Sequence, residues 1–111
     1  MSATQLDLLG TWTPDPEKDA ILALIAGDVV HQRDREAIVD AIRASVDYTG
    51  RTSGNTWRPL IPTWVYPKVI GATVHALVAA GVLVQDGWLI SNDVRGRNAG
   101  RPCRQYIWRT P

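Results

Sequence analysis

Cysteine, phenylalanine and histidine are scarce in this chain of 111 residues, which has one cysteine, no phenylalanine and two histidines. The single cysteine, Cys103, excludes an intramolecular disulfide and is typical of proteins in a reducing compartment. No apolar run approaches the roughly 20 residues that span a bilayer, and the N-terminus lacks the basic start and apolar centre of a signal peptide. We therefore expect a cytoplasmic protein without a membrane partner.

Residues suited to catalysis are also few. Neither histidine, His31 or His75, has the spacing of a metal-ligand set or of a base beside a nucleophile. Residues 50–54 superficially resemble a phosphate loop, but they lack the Gly-Lys-Ser/Thr ending that binds phosphate and magnesium. Glu36 and Asp40 are spaced to share one helix face, as solvated carboxylates commonly do. We expect no catalytic residue, no metal and no cofactor, and hence a protein that is not an enzyme.

Charge is divided unevenly along the chain, although the net charge is only +1. Residues 1–50 contain four basic and nine acidic residues, for a net charge of −5, whereas residues 51–111 contain eight basic and two acidic residues, for a net charge of +6. Seven of these eight cations are arginines, whose guanidinium group suits bidentate contacts with phosphate or guanine. The asymmetry indicates a surface that faces a polyanion.

The N-terminal part predicts an arm followed by a helix. Residues 1–14 show no sustained periodicity, and we interpret them as an extended or poorly ordered arm. Asp15 is a suitable N-cap with Pro16 at the first helical position, and Gly27 provides a stop. Residues 20–26 are apolar on all sides, so they must be covered by the rest of the domain or by a second copy in a homodimer.

Two more helices are predicted before the centre of the chain. Asp34 is positioned to cap a second helix that reaches about Val46. Residues 47–55 have the composition of a loop, and Asn55 is positioned to cap a short third helix that Pro62 closes. This short helix is the expected first arm of a helix-turn-helix.

The second arm is a helix from Tyr66 to Gly81, with Pro67 at its first helical position. Its inward stripe is predicted to contain four apolar residues: Ile70, Val74, Leu77 and Val78. Its outward face is predicted to be small and polar: Lys68, Ala72, His75 and Ala79. Such a face lets a helix approach base edges in a major groove, although ordinary surface helices carry the same residue types.

A β-hairpin is predicted after this helix. Two strand-like stretches, residues 87–91 and 105–109, flank a tip, residues 95–104, that contains four arginines. Glycine and asparagine tolerate positive φ, so the tip can turn sharply while its guanidinium groups project toward phosphates or a minor groove. The alternative is a solvated loop whose arginines only maintain solubility. An Asp86-Gly87 turn or bend is expected before the tip.

Tryptophan is abundant, with five residues in the chain. Trp57, Trp88 and Trp108 lie within predicted elements, so we expect them in the core rather than as platforms for base stacking. Trp64, in the turn before the helix from Tyr66 to Gly81, is the best candidate for an exposed tryptophan that could contact a partner.

Four segments carry a family resemblance: NTWRPLIP (55–62), WVYPKVIGA (64–72), LVAAG (77–81) and GRNAGRPCRQYIW (96–108). Together they resemble the small winged helix-turn-helix DNA-binding proteins of actinobacterial phages and prophages. The resemblance covers roughly residues 34–109. It implies an α+β fold, a mainly helical winged helix-turn-helix with a C-terminal β-hairpin wing, to which this chain adds an N-terminal helix. Residues 15–111 would then form one domain.

By this resemblance the recognition helix enters the major groove of double-stranded DNA, and the wing contacts the backbone or minor groove. The expected nucleic-acid-binding residues are Arg51, Arg58, Trp64, Lys68, Thr73, His75, Arg95, Arg97, Asn98, Arg101 and Arg104. The implied role is sequence-specific or semi-specific regulation of transcription or replication, in the host cytoplasm if a phage encodes the protein. The alternative is a winged-helix adaptor that binds a host protein through its acidic half or first helix.

Overall fold

A computed structural model describes residues 15–25 and 27–110 of the chain. The predicted arm, residues 1–14, lies outside the described residues. The described part is an α+β domain, which confirms the α+β part of the predicted fold class. Its elements, in chain order, are α1 (Pro16–Leu24), α2 (Gln32–Ser45), β1 (Arg51–Ser53), α3 (Gly54–Trp57) with a 3-10 turn (Arg58–Leu60), α4 (Pro67–Ala79), β2 (Leu83–Ile90) and β3 (Pro102–Trp108).

The three strands form one antiparallel sheet in the order β1-β3-β2. The prediction of a loop over residues 47–55 was wrong for β1, because Arg51 pairs with Ile107 and Ser53 pairs with Gln105. A strand of three residues is too short to show an alternating pattern, so only its pairing with β3 reveals it. The order of helices and strands is compatible with the predicted winged helix.

The expected bend at Asp86-Gly87 is a bulge inside β2. The pairing of β2 with β3 shifts register between Gln85 and Trp88, and Gly87 has a φ of 95°. A residue with a side chain is strained at such a φ, so glycine suits this position. The hairpin is therefore continuous through the predicted turn, and residues 102–104, predicted in the tip, belong to β3.

Helix α1 begins as predicted, with Pro16 in its first turn and the Asp15 carboxylate accepting a hydrogen bond from the backbone N–H of Lys18 at 3.1 Å. Ile21 is buried by the domain, whereas Leu24 is 54% exposed. The domain therefore covers one side of this apolar helix and leaves another open. None of the described helices combines the length and apolar character needed to cross a membrane.

Asp34 and Asn55, both predicted as N-caps, form side-chain hydrogen bonds with other segments of the fold. Helix α2 begins at Gln32, two residues before the predicted cap Asp34, and the Asp34 carboxylate accepts the backbone N–H of Tyr66 at 3.1 Å, where α4 begins. Helix α3 is capped by Ser53 rather than Asn55. Both side chains therefore join segments distant in sequence, which is why local patterns assigned them wrongly.

The core lies where α2, α4 and the sheet meet. Its most deeply buried apolar side chains include Ile38 and Ile42 of α2, Leu77 of α4, and Val82 and Leu83 at the start of β2. Apolar residues from three kinds of element thus share one cluster, so the relative orientation of α2 and α4 depends on this packing.

The tryptophans divide between core and surface. Trp57 is buried as predicted and stacks on Tyr106 with 5.9 Å between ring centroids, and Trp108 packs against the core. Trp88 was expected in the core but is 58% exposed. The reason is that only the first residue of β2 is buried, since the rest of the strand extends beyond the core.

Candidate nucleic-acid interface

Residues 91–101, which we call the wing loop, connect β2 to β3 through a hydrogen-bonded turn. The backbone N–H of Ser91 donates to the carbonyl of Arg101 at 2.8 Å, and the N–H of Gly100 donates back to Ser91 at 2.8 Å. Gly100 has a φ of 83°, as expected for a glycine of this turn, but the second left-handed residue is Arg97, with a φ of 60°, rather than Asn98. The wing loop is therefore a folded turn with a defined direction.

The carboxylate of Asp93 organises this turn. It accepts hydrogen bonds from the backbone N–H of Gly96 at 2.9 Å and from the side-chain amide of Asn98 at 3.1 Å. These two donors, together with the charge of Arg58, lower the pKa of Asp93 below its ordinary value. Asn98, predicted to contact DNA, thus uses its amide within the wing loop.

Four exposed arginines, which we call the wing arginines, stand on this hairpin: Arg95, Arg97, Arg101 and Arg104. Within residues 15–25 and 27–110, none of them forms an ion pair with a carboxylate. The guanidinium group of Arg104, on β3, lies 5.7 Å from the ring centroid of Trp88. The positive charge of the four wing arginines is therefore available to an external anion.

The other two predicted phosphate contacts, Arg51 and Arg58, have partners inside the domain. Nε of Arg51 lies 2.7 Å from a carboxylate oxygen of Asp86, and Nε of Arg58 lies 3.9 Å from a carboxylate oxygen of Asp93. Both carboxylates belong to the hairpin, so these arginines attach it to β1 and to the 3-10 turn. Arg51 therefore lies against the middle of β2, whereas Arg58 lies against the wing loop, where it lines a cavity together with Arg95.

Asn55 also attaches the wing loop to the helices. Its side-chain amide donates to the carbonyl of Ile90 at 2.9 Å, and its amide oxygen accepts the backbone N–H of Asn92 at 3.0 Å. One side chain therefore satisfies backbone groups on both sides of the point where β2 ends. Sequence analysis missed this role, because an asparagine beside a short helix signals only a cap.

Helix α4 presents the predicted outward face, with Lys68, Ala72, His75 and Ala79 exposed. Thr73, however, is only 2% exposed, so its prediction as a DNA contact was wrong. The buried stripe runs through Val69, Thr73 and Leu77, which are spaced by four residues. Val78 was predicted to face inward but is exposed, because it lies at the edge of the buried stripe, whose centre is Thr73.

The exposed face of α4 adjoins the hairpin. His75 and Val78 of α4 line a cleft of about 170 Å³ together with Gln85 of β2 and Arg104 of β3. We call this the α4–hairpin cleft. A polar residue of α4 and one wing arginine therefore line the same cleft.

Trp64 is exposed as predicted, but it belongs to another surface. It lines a groove of about 480 Å³ with Leu60 and with Ala37 and Ala41 of α2. The guanidinium of Arg33, also on α2, lies 5.2 Å from the Trp64 ring centroid. The structure thus groups Trp64 with α2 rather than with the α4–hairpin cleft.

Ion pairs within the acidic half of the chain hold α1 on α2. Lys18 pairs with Asp40 at 2.9 Å, and Arg43 pairs with Asp15 and with Glu17, at 3.0 Å in the second case. The carboxylates of Asp15, Glu17 and Asp40 are therefore engaged with cations of these two helices rather than with the wing arginines.

No family model, curated protein or solved structure matches this chain. Among the residues that the structure describes, no group of three His, Cys, Asp or Glu side chains is placed to hold a metal ion. The candidate interface is therefore defined by its own geometry: the exposed face of α4, the α4–hairpin cleft and the wing arginines.

Proposed function

We propose that this protein is a winged helix-turn-helix module that binds double-stranded DNA and regulates transcription or replication. In this proposal α4 enters the major groove, and the wing arginines contact the adjacent backbone or minor groove. The α4–hairpin cleft is the observation that carries the proposal, because His75 and Arg104 line it together. A helix face of mostly small residues beside a cluster of arginines suits a groove and its flanking phosphates.

The exposed face of α4 favours semi-specific binding. Lys68 and His75 are its two polar side chains among the outward residues, whereas Gly71, Ala72 and Ala79 offer no hydrogen bond to a base edge. A good bidentate contact adds about 1–3 kcal/mol of discrimination against a wrong base, and this face has few groups able to form one. Contacts between the wing arginines and phosphates would then supply most of the affinity.

The salt dependence of DNA binding tests the proposal. If the four wing arginines and Lys68 each neutralise one phosphate, log K should fall against log salt with a slope of about −4 to −5. The double variant Arg97→Ala/Arg101→Ala should make that slope shallower by about 1.8. Fluorescence anisotropy of a labelled duplex, measured over a series of sodium chloride concentrations, gives both numbers.

Arg33→Ala is the matched control, because Arg33 is also an exposed arginine but belongs to α2, where its guanidinium lies over the Trp64 ring. It should leave the slope unchanged. A flat salt dependence, or an equal loss in the Arg33 variant and the wing variant, would count against the proposed interface.

One observation favours a second candidate function, an adaptor that binds a host protein. Leu24, Val29 and Val30 are exposed apolar side chains at the end of α1 and in the loop that follows. Such a patch suits a protein partner or, through residues 20–26, a second copy of this chain. Leu24→Glu should release a host protein or dissociate a dimer, measured by co-purification and light scattering. A monomer that recovers no stoichiometric protein would leave this candidate without support.

A further inference from the structure

A separate cavity, which we call the α2–α4 cleft, lies between the start of α2, the loop before it and the first half of α4. Its volume is about 390 Å³, which falls within the range of about 300–1,000 Å³ typical of small-molecule sites. Val69, Ala72 and Ala76 contribute apolar surface from α4, Arg35 and Lys68 contribute positive charge, and Asp28 contributes one carboxylate. The cleft thus combines an apolar wall with two cations and one anion.

The guanidinium group of Arg35 is buried, and its ion pair is with a carboxylate that is largely exposed. Arg35 is 8% exposed. Within the described residues its one carboxylate partner is Asp28, 3.6 Å from Nη1, and the Asp28 side chain is 63% exposed. Its other acceptors are neutral: the backbone carbonyl of Asp28 and the amide oxygen of Gln32. Because a buried cation is costly unless it is well paired, this wall of the cleft favours an additional anion.

Lys68 adds a second cation in the first turn of α4. It is exposed and, among the residues that the structure describes, forms no ion pair. The helix dipole also favours negative charge at this end of α4, where the Asp34 carboxylate already accepts the backbone N–H of Tyr66. His31 and Tyr66, stacked with 5.8 Å between ring centroids and an interplanar angle of 11°, add flat surface to the lining. An aromatic or aliphatic body would find apolar contact beside the two cations.

We propose that the α2–α4 cleft binds a small carboxylic acid with an aromatic or aliphatic body. Its carboxylate pairs with Arg35 and Lys68, and its body lies against Val69 and Ala72. Lys68 also belongs to the outward face of α4, so the bound acid withdraws this lysine from DNA. That regulatory consequence rests on the proposed DNA-binding function, whereas binding of the acid does not.

Titration of isotope-labelled protein with 3-phenylpropionate, followed by amide NMR spectra, tests the site directly. Saturable shifts are expected at amides of residues 31–35 and 68–76. The neutral analogue 3-phenylpropionamide should bind about tenfold more weakly, since it lacks the charge-assisted hydrogen bonds. An absence of saturable shifts, shifts centred elsewhere, or equal affinity for the two compounds would overturn the proposal.

Two variants of α4 localise the site. Ala72→Leu fills the cleft and should abolish binding, whereas Ala79→Leu, on the same exposed face but outside the lining, should leave it unchanged. Lys68→Gln should weaken binding about tenfold through loss of one charge-assisted contact. Thermal unfolding checks that each variant is folded. Undiminished binding by the Ala72 variant would place the acid elsewhere.

DNA competition separates the two proposals. 3-Phenylpropionate should weaken DNA binding by the wild-type protein and have a smaller effect on the Lys68→Gln variant. If DNA does not bind at all, the NMR titration still decides the ligand site. If the acid does not bind, the salt dependence of DNA binding still decides the interface. Binding of the acid with unaltered DNA affinity would overturn the regulatory consequence alone.

Discussion

The buried hydroxyl of Thr73 makes α4 sensitive to a substitution of almost the same shape. Thr73 is 2% exposed, and its Oγ1 has no hydrogen-bond partner among the described residues. Water solvates this hydroxyl in the unfolded chain, and no described protein group replaces those hydrogen bonds in the fold. The penalty for such a group is about 1–3 kcal/mol. Thr73→Val removes the hydroxyl and keeps a β-branched side chain, so helix propensity changes little.

We expect Thr73→Val to raise the free energy of unfolding by about 1–2 kcal/mol, within the desolvation penalty of an unpartnered hydroxyl. The thermal midpoint should rise by about 4–8 °C for each kcal/mol. Urea unfolding, monitored by tryptophan fluorescence, to which buried Trp57 contributes, should show a later midpoint with an unchanged m-value. DNA affinity should be unchanged, because the side chain does not reach the exposed face of α4.

Two controls separate the hydroxyl from the packing of the site. Thr73→Ala also removes the methyl group and leaves a cavity, so it should be less stable than Thr73→Val by about 1 kcal/mol. Thr63→Val, the same change at an exposed turn, should stay within about 0.5 kcal/mol of wild type. A Thr73→Val protein no more stable than wild type would refute the reasoning.

Wing geometry, core packing and the Asp15 cap each have a measurable consequence. Gly96→Ala should loosen the wing loop, because a Cβ there would overlap the Asp93 carboxylate; unchanged amide exchange in residues 93–99 would contradict this. Leu77→Ala, at a fully buried position, should cost about 2–5 kcal/mol in urea unfolding; a loss below 1 kcal/mol, roughly that of a surface change, would argue against its core position. The hydrogen bond from Arg43 lowers the pKa of Asp15 from 3.8 to about 2. The ionised Asp15 carboxylate therefore stabilises the folded protein fully above pH 3.8, and this contribution disappears as pH falls through about 2. Asp15→Asn should therefore make the free energy of unfolding depend less on pH in this range. The same loss of stability at low pH in the variant and in wild type would contradict this prediction.

Local chemistry was sufficient to predict several elements. Pro16 and Pro67 mark the first turns of α1 and α4, because proline fixes φ and has no N–H to leave unpaired. The bend at residues 86–87 was also predictable, since glycine tolerates the positive φ of a bulge. In each case the determining interaction lies within a few residues of the signal.

Other features depended on contacts between distant segments. β1 exists because it pairs with β3, and Asn55 holds the end of β2 rather than capping its own helix. The orientation of α4 follows from packing against α2 and the sheet, which buried Thr73 and exposed Val78. A periodic pattern predicts that a helix has an inner face, but several neighbouring rotations fit the same pattern.

The sequence by itself determined that positive charge gathers in the second half of the chain, because net charge depends only on composition along the chain. Only the tertiary structure decided which of these arginines remain available to bind a partner. Arg51 and Arg58 lie against Asp86 and Asp93, while the wing arginines stand on the exposed hairpin. The physical reason is that electrostatic pairing depends on distance in space, and folding brings together residues that lie 35 positions apart in the chain.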